Sequence, residues 1–445
     1  MVEICTVGGY NEVGKNMVAV KTGDDVVLLD MGFHMQRIVD FEEEGGSKGA
    51  LSVQQMIGMD AVPDDRVLAS WKRQVKMIAL SHAHLDHIGA VPYLASRYQA
   101  PVHGTPFTIA VLDRMMKNDA LAIPNPLHPT HTGKEIPISK DVSVEFVHIT
   151  HSTPQSSFIA VHTKKGVLLY GTDFKLDNHP VIGKMPDVER LKELRDEGVL
   201  ALFVDSLYSK HNMKTPSEKV AREMLKDVLF GTENEGRAIV GTCFASHLAR
   251  LKSFTEFGRK MGRKVVFLGR TMMKYTDAAA DVGVIDLRKD VEVVGFGRDV
   301  KRKLKDIEKK GPENYLIVCS GGQGEPNAVL RRMMKQDYPF RFMNDDHVIF
   351  SNRVIPVEPN VTNRQEIERR LKEFGVRIFS DIHVSGHGGK EDIRDLITMT
   401  DPAHIIPCHG PRQLVEGTGD LAQEMGYKIG SDVHYMKNGH TLRLG

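Results

Sequence analysis

The sequence predicts an α/β protein of more than one domain, and three observations carry that reading. At 445 residues, and roughly 100–200 residues per domain, two or three domains are expected. With 41% hydrophobic and 26% charged residues, the chain has a globular composition able to bury a sizeable core. The third is rhythm: short apolar runs between turn residues at the start, then strands alternating with amphipathic helices, the pattern of a parallel sheet.

Taken in order, the first strands are Val18–Lys21, Val26–Leu29, Val75–Leu80 and Val142–Ile149. Gly8-Gly9 and Thr22-Gly23-Asp24 punctuate them, because these residue types suit tight turns. Val167–Tyr170 and Val199–Val204 follow in the same style. Ser217–Leu229 reads as a helix opening on Thr-Pro-Ser-Glu, where serine caps free N–H groups. A strand at Ala238–Thr242, a helix at Ser246–Met261 and a strand at Val265–Leu268 come next. A helix at Lys301–Lys309 precedes a strand at Tyr315–Cys319. Strands near Arg377–Phe379 and His404–Pro407 flank a helix at Lys390–Met399. Gly295–Lys305 is the most basic local stretch.

Lys plus Arg is 59 and Asp plus Glu is 58, a net charge of +1, so no global basic excess points to a polyanionic partner. The chain holds 20 His against 4 Cys, which favours imidazole over thiolate chemistry. Cys5, Cys243, Cys319 and Cys408 form no CxxC pair and read as buried small hydrophobes. Met1-Val2-Glu3-Ile4 lacks the pattern of a secretory signal, and runs such as Val26–Leu29 are far too short to span a membrane. The expectation is a soluble, cytoplasmic protein with no membrane partner.

The sharpest motif is Ser81-His82-Ala83-His84-Leu85-Asp86-His87, which follows an apolar strand. His82 and His84, two apart on an extended loop, point to one side and can share a cation. Asp86 and His87, adjacent on a tight turn, can reach a second cation beside the first. Imidazoles with a carboxylate suit Zn²⁺, with Mn²⁺ possible where more oxygen ligands join. Asp30, His151 and Asp173 each end an apolar run before polar or glycine residues. Taken singly, a strand-end aspartate is a turn cap more often than a ligand.

Their order around the H-x-H-x-D-H loop resembles the metallo-β-lactamase superfamily. The resemblance implies that Asp30 supports a ligand from behind, that His151 is the third histidine and that Asp173 is the bridging carboxylate. The remaining histidine is matched by His409, far beyond Asp173, and the gap is long enough for an inserted domain. Phe203-Val204-Asp205-Ser206, His383-Val384-Ser385-Gly386-His387-Gly388 and His409-Gly410 resemble the β-CASP nucleases of that superfamily. Gly322-Gln323-Gly324-Glu325-Pro326, Phe244-Ala245-Ser246 and Gly269-Arg270-Thr271-Met272 extend the likeness to the RNase J family, archaeal type, as does Glu12-Val13-Gly14-Lys15-Asn16-Met17 near the start. The implied fold is a metallo-β-lactamase αββα sandwich with an inserted α/β β-CASP domain. The expected division is 1–208, an insertion at 209–373, and 374–445.

The resemblance also implies the chemistry: a ribonuclease using two Zn²⁺ ions, Mn²⁺ or Mg²⁺ being alternatives, for hydroxide attack on phosphorus. Metal one falls to His82, His84, His151 and Asp173; metal two to Asp86, His87, Asp173 and His409. His387 would protonate the leaving oxygen, with Asp205 orienting it. His383, Ser385, Ser320, Gly322, Gln323 and Arg270 would hold substrate phosphates. The family often carries a hydroxyl residue where Gly322 stands. A pocket for a 5′-monophosphate favours 5′→3′ exonuclease action on single-stranded RNA, with some endonuclease activity possible. Relatives commonly form homodimers. The alternatives are an endonuclease of the cleavage-factor type, a small-molecule hydrolase, and a catalytically dead RNA-binding scaffold.

Overall fold

The computed structural model describes residues 1–43, 49, 51–325, 327–355 and 360–445. Pro326 of the G-Q-G-E-P motif lies outside them. The chain divides into two compact units. The first comprises Met1–Asn178, Lys184–Thr215 and Gly386–Gly445; the second comprises His179–Gly183 and Pro216–Ser385.

The first unit is built on two sheets. A seven-stranded sheet runs, in spatial order, His440–Leu444, Val2–Gly8, Met17–Thr22, Asp25–Leu29, Val75–Leu80, Val102–Gly104 and Leu127–Pro129. A six-stranded sheet runs His404–Cys408, Val199–Asp205, Gly166–Gly171, Ser157–Thr163, Val142–His148 and Glu135–Pro137. Val20, Val27, Leu29 and Ala79 of one sheet share a core with Val144, Phe146, Ile159, Tyr170 and Phe203 of the other. The alternate residues Val147, Phe158, Leu169, Leu202 and Val204 face the opposite way, onto Leu191, Leu194, Ile393, Leu396 and Leu421 of helices. Both faces of these strands are therefore apolar, which explains why they read as unbroken hydrophobic runs. The other sheet carries the helix Pro106–Asn118, with Phe107, Val111, Leu112 and Met115 buried. The layers are helix, sheet, sheet, helix.

The second unit holds a six-stranded sheet in the order Glu292–Val294, Lys264–Leu268, Tyr315–Cys319, Ile239–Thr242, His347–Phe350 and Arg377–Phe379. Every pairing in it is parallel. The helix expected from Ser217 spans Glu218–Gly231, with the Ser217 hydroxyl accepting a 3.1 Å bond from the Lys219 N–H. Helix Gly297–Lys310 begins four residues earlier than the sequence reading places it, because Gly297 hides its start. The unit boundaries fall at 215/216 and 385/386, against the expected 208/209 and 373/374. Pairing of Arg377–Phe379 with His347–Phe350 carries that segment into the second unit. All four cysteines are buried and free of disulfides. No helix of the described residues is long and apolar enough to cross a membrane.

Candidate metal centre

The strand Val75–Leu80 ends at Ser81 and releases the histidine loop, whose His84 stands at the start of the short helix Leu85–Ile88. The loop packs tightly on Asp30–Phe33: Met31 N–H donates to His87 O at 2.7 Å, and Phe33 N–H donates to Leu85 O at 2.9 Å. Gly32 permits this approach, since a Cβ there would lie 1.5 Å from Asp86 O.

Two donor clusters result. In the first, His84 Nδ1 lies 3.1 Å from both His82 Nε2 and His151 Nε2. Asp173 Oδ2 lies 3.5 Å from His82 Nε2 and 3.7 Å from His151 Nε2. In the second, His87 Nε2 is 3.8 Å from Asp86 Oδ2, and His409 Nε2 is 3.9 Å from the same oxygen. Asp173 Oδ1 faces this cluster, 3.3 Å from His87 Nε2. With metal–ligand bonds of about 2.1 Å, tetrahedral neighbours sit about 3.4 Å apart; both clusters have that spacing. One carboxylate thus presents an oxygen to each.

Backbone geometry aims these groups. Asp30, Asp173 and His409, each at a strand end, adopt φ of 58°, 33° and 62°. Such left-handed positions cost about 1–3 kcal/mol when not glycine and persist where the surroundings impose them.

The electrostatics of the first cluster fit cation ligation. Burial lowers the His82, His84 and His151 imidazoles, reinforced by neighbouring histidines, so each is neutral with a lone pair to offer. Burial opposes charge on Asp173, but His409, His87 and His387 outweigh it and hold the carboxyl well below its usual range. Burial lowers His87, yet Asp173, Asp30 and Asp86 together raise it well above its ordinary value. Asp173 Oδ1 is buried without a hydrogen-bond partner. An ionised oxygen in that state is costly, and a cation between the ligands would satisfy it. The donor set of nitrogens and carboxylates fits divalent metals.

Groups behind the ligands fix their orientation. Asp30 Oδ2 is 2.7 Å from His87 Nδ1, and the Asp30 carboxylate accepts from Ser81 N–H at 2.7 Å and Ser81 Oγ at 2.8 Å. His151 Nδ1 meets Gly386 O at 2.7 Å. His409 Nδ1 meets Asn16 Oδ1 at 3.1 Å, while Asn16 Nδ2 lies 3.0 Å from both Asp86 O and His87 Nε2. The sequence alone assigns no role to Asn16, Ser81 or the Gly386 carbonyl. Asn16 stands in one of the family-like motifs, but only the fold shows that it reaches both the H-x-H-x-D-H loop and His409.

His387 joins this site, its Nδ1 bonded to Asp205 Oδ2 at 2.7 Å and its Nε2 3.9 Å from Asp173 Oδ2. Its ring packs 4.9 Å from that of His151 and 5.6 Å from that of His409. Burial lowers it, but Asp205 and Asp173 outweigh that and raise it to about 9.

The six expected phosphate contacts belong to the second unit. Arg270 and the Ser320–Gln323 loop follow the carboxyl ends of adjacent parallel strands; His383 and Ser385 follow the edge strand. Ligands of such sheets bind at that edge. Gln323 is committed to the loop itself, its Nε2 donating to Arg353 O and its Oε1 accepting from Ile355 N–H, each at 2.8 Å. A Cβ on Gly322 would meet the Asn352 amide at 2.4 Å, so that amide occupies the space a hydroxyl residue would need. Burial, with Arg250 and His247 nearby, pushes His383 down to about 3.

Comparison with known proteins gives three family matches. They are a ribonuclease J β-CASP domain over residues 235–371, the metallo-β-lactamase superfamily over 10–194, and a Zn-dependent metallo-hydrolase RNA specificity domain over 369–434. The chain is 42% identical to ribonuclease J of Methanocaldococcus jannaschii, covering 99% of this chain and 98% of that one. It is 41% identical to ribonuclease J of Pyrococcus abyssi, covering 100% and 97%. Ribonuclease J 1 of Streptococcus pyogenes is 28% identical, with 74% of its length covered by all of this chain. A solved structure of a protein of unknown function from Enterococcus faecalis V583 shares the fold, with a TM-score of 0.67, 17% identity and 100% coverage of both chains.

Proposed function

Because the chain belongs to the ribonuclease J family, of the β-CASP group with a metallo-β-lactamase fold, we propose that it is a metal-dependent ribonuclease acting mainly as a 5′→3′ exonuclease on single-stranded RNA. The observation that carries this reading is the convergence of seven candidate ligands, distant in sequence, on two clusters: His82, His84, His151 and Asp173, and Asp86, His87 and His409, the second faced by the other oxygen of Asp173.

Two divalent cations, zinc by ligand type, would supply Lewis acidity and neutralise charge at the phosphoryl group. His82, His84, His151 and Asp173 would hold one; Asp86, His87, His409 and Asp173 the other. Asp30, Asn16 and the Gly386 carbonyl hold the imidazoles so that the ligating nitrogens need no reorganisation. As the oxygen of an attacking hydroxide bonds to phosphorus and the bond to the leaving oxygen breaks, the proton on His387 Nε2 passes to that leaving oxygen. Asp205, bonded at Nδ1, keeps the proton on the correct nitrogen and stabilises the charged ring beforehand. At the carboxyl edge of the second unit's sheet, backbone N–H groups of the Ser320–Gln323 loop, with Arg270 and His383, would receive a 5′-phosphate. Holding the 5′ end gives the enzyme a fixed point from which to cleave. A homodimer and a cytoplasmic location belong to the same proposal.

Two experiments test it. His84→Ala or Asp86→Ala should lower RNA cleavage by at least about 10³-fold with the circular dichroism spectrum unchanged; wild-type rates from either variant would sink the metal-centre assignment. End-labelled 5′-monophosphate RNA should yield mononucleotides and outpace 5′-triphosphate RNA. Internal products at equal rates from both would replace the exonuclease reading with an endonuclease one.

A further inference from the structure

The helix Gly297–Lys310 carries seven Lys or Arg against three Asp or Glu, in a chain whose net charge is only +1. Val300, Leu304 and Ile307 bury its inner face. Arg298, Arg302, Lys305 and Lys309 recur at intervals of four, three and four residues. At 3.6 residues per turn they lie within about 60° of one another, opposite that face, along about 16 Å of axis. All four are exposed, as is the flanking Lys301.

The helix's own acids neutralise only one member of this ridge, Arg302. Asp299 pairs with Arg302, Asp306 pairs with Lys303 and Lys310, and Glu308 accepts from the Arg341 N–H at 2.6 Å. Among the described residues, Arg298, Lys301, Lys305 and Lys309 form no ion pair. At the amino end of the ridge Phe296, between Gly295 and Gly297, is 54% exposed. It follows the edge strand Glu292–Val294, at the same carboxyl edge of the sheet as Arg270 and the Ser320–Gln323 loop.

We infer that this ridge and Phe296 form an accessory binding surface for single-stranded RNA, distinct from the phosphate loop. The cations track the backbone, while the exposed ring offers a platform on which a base stacks; a polyanion without bases would have no use for the ring. The inference takes its ligand class from the ribonuclease reading.

The test is stopped-flow anisotropy of a labelled RNA of about 24 nucleotides binding to the metal-loaded full chain at about 50–200 mM KCl. The variant Arg298→Gln/Lys305→Gln/Lys309→Gln should reduce the slope of log affinity against log salt by about 2, at about 0.7 per lost contact. Phe296→Ala should weaken binding about tenfold. A control, Lys192→Gln/Lys226→Gln/Arg369→Gln, removes equal charge from exposed ion pairs elsewhere and should leave the slope unchanged. Thermal unfolding verifies that each variant is folded. A slope equal to wild type in the ridge variant, or equal losses in ridge and control variants, would overturn the inference. If wild type binds with a ridge-dependent slope but cleaves no RNA, the ribonuclease reading fails and the ridge stands. If it cleaves RNA with a ridge-independent slope, the ridge fails and the ribonuclease reading stands; no binding at all rejects both.

Discussion

At the scale of single residues, the metal centre is a problem of aim. An imidazole offers two nitrogens, and only a partner on one of them commits the other to a cation. Asp30 does this for His87, the Gly386 carbonyl for His151, and Asn16 for His409. Asn16 is the most informative of the three, because one amide reaches a residue 393 positions away while also touching Asp86 and His87. Replacing Asn16 with Ala should therefore weaken metal binding by about 10–100-fold with every ligand still present. Metal titration followed by elemental analysis checks this. Unchanged affinity would mean that packing alone holds His409. The carboxylate and imidazole types were legible in the sequence, since H-x-H-x-D-H has few other uses. The tautomers and the orphaned Asp173 Oδ1 were not, because they depend on groups that approach only in the folded chain.

At the scale of elements, strand ends deliver the chemistry. Of the buried strands of the first unit, Asp25–Leu29, Val75–Leu80, Gly166–Gly171 and Val199–Asp205 were legible as apolar runs because both faces are covered, whereas the equally buried Ser157–Thr163 was not legible. The strands Val2–Gly8 and His440–Leu444 were not, and they pair with each other across the length of the chain. A pairing partner that distant leaves no local pattern. The strand Val142–His148 also anchors an ionic network: Glu145, buried, takes Arg190 Nη2 at 2.8 Å and His162 Nε2 at 3.2 Å. Burial opposes charge on Glu145, but His162 and Arg190 outweigh it and hold the carboxyl at about 2. A carboxyl lowered on folding contributes stability that is present above its unfolded value, about 4.3, and lost as pH falls toward 2. The melting temperature of Glu145→Gln should accordingly fall less steeply than wild type between about pH 5 and 3. Parallel curves would show that the network contributes little. His162 is raised despite burial, by Glu145 and Glu197, so its contribution runs the other way: full below about 6.5, lost at higher pH.

At the scale of the whole molecule, candidate ligands from residues 82 to 409 converge on one centre. Metal binding to a site absent from the unfolded chain adds to folding stability. Chelation should lower the melting temperature of the first unit by about 5–10 °C, reversibly on adding Zn²⁺. Calorimetry with and without chelator measures it, and coincident traces would argue that the ligands are preformed and metal adds little. Net charge proved a poor guide at this scale. A balance of +1 coexists with a cationic ridge on Gly297–Lys310, because acids elsewhere offset it.

By itself, the sequence determined the family, the α/β rhythm and the residue types that gather at the candidate centre, because these reside in residue type and short spacing. Tertiary structure decided which oxygen of Asp173 serves which cluster, that Asn16 and the Gly386 carbonyl orient the rings, and that His383 and Ser385 belong to one compact unit while Gly386 and His387 belong to the other. The physical reason is that coordination and hydrogen bonding act over a few ångströms in space. Strands that end side by side in a sheet bring within that range residues that the chain holds hundreds of positions apart.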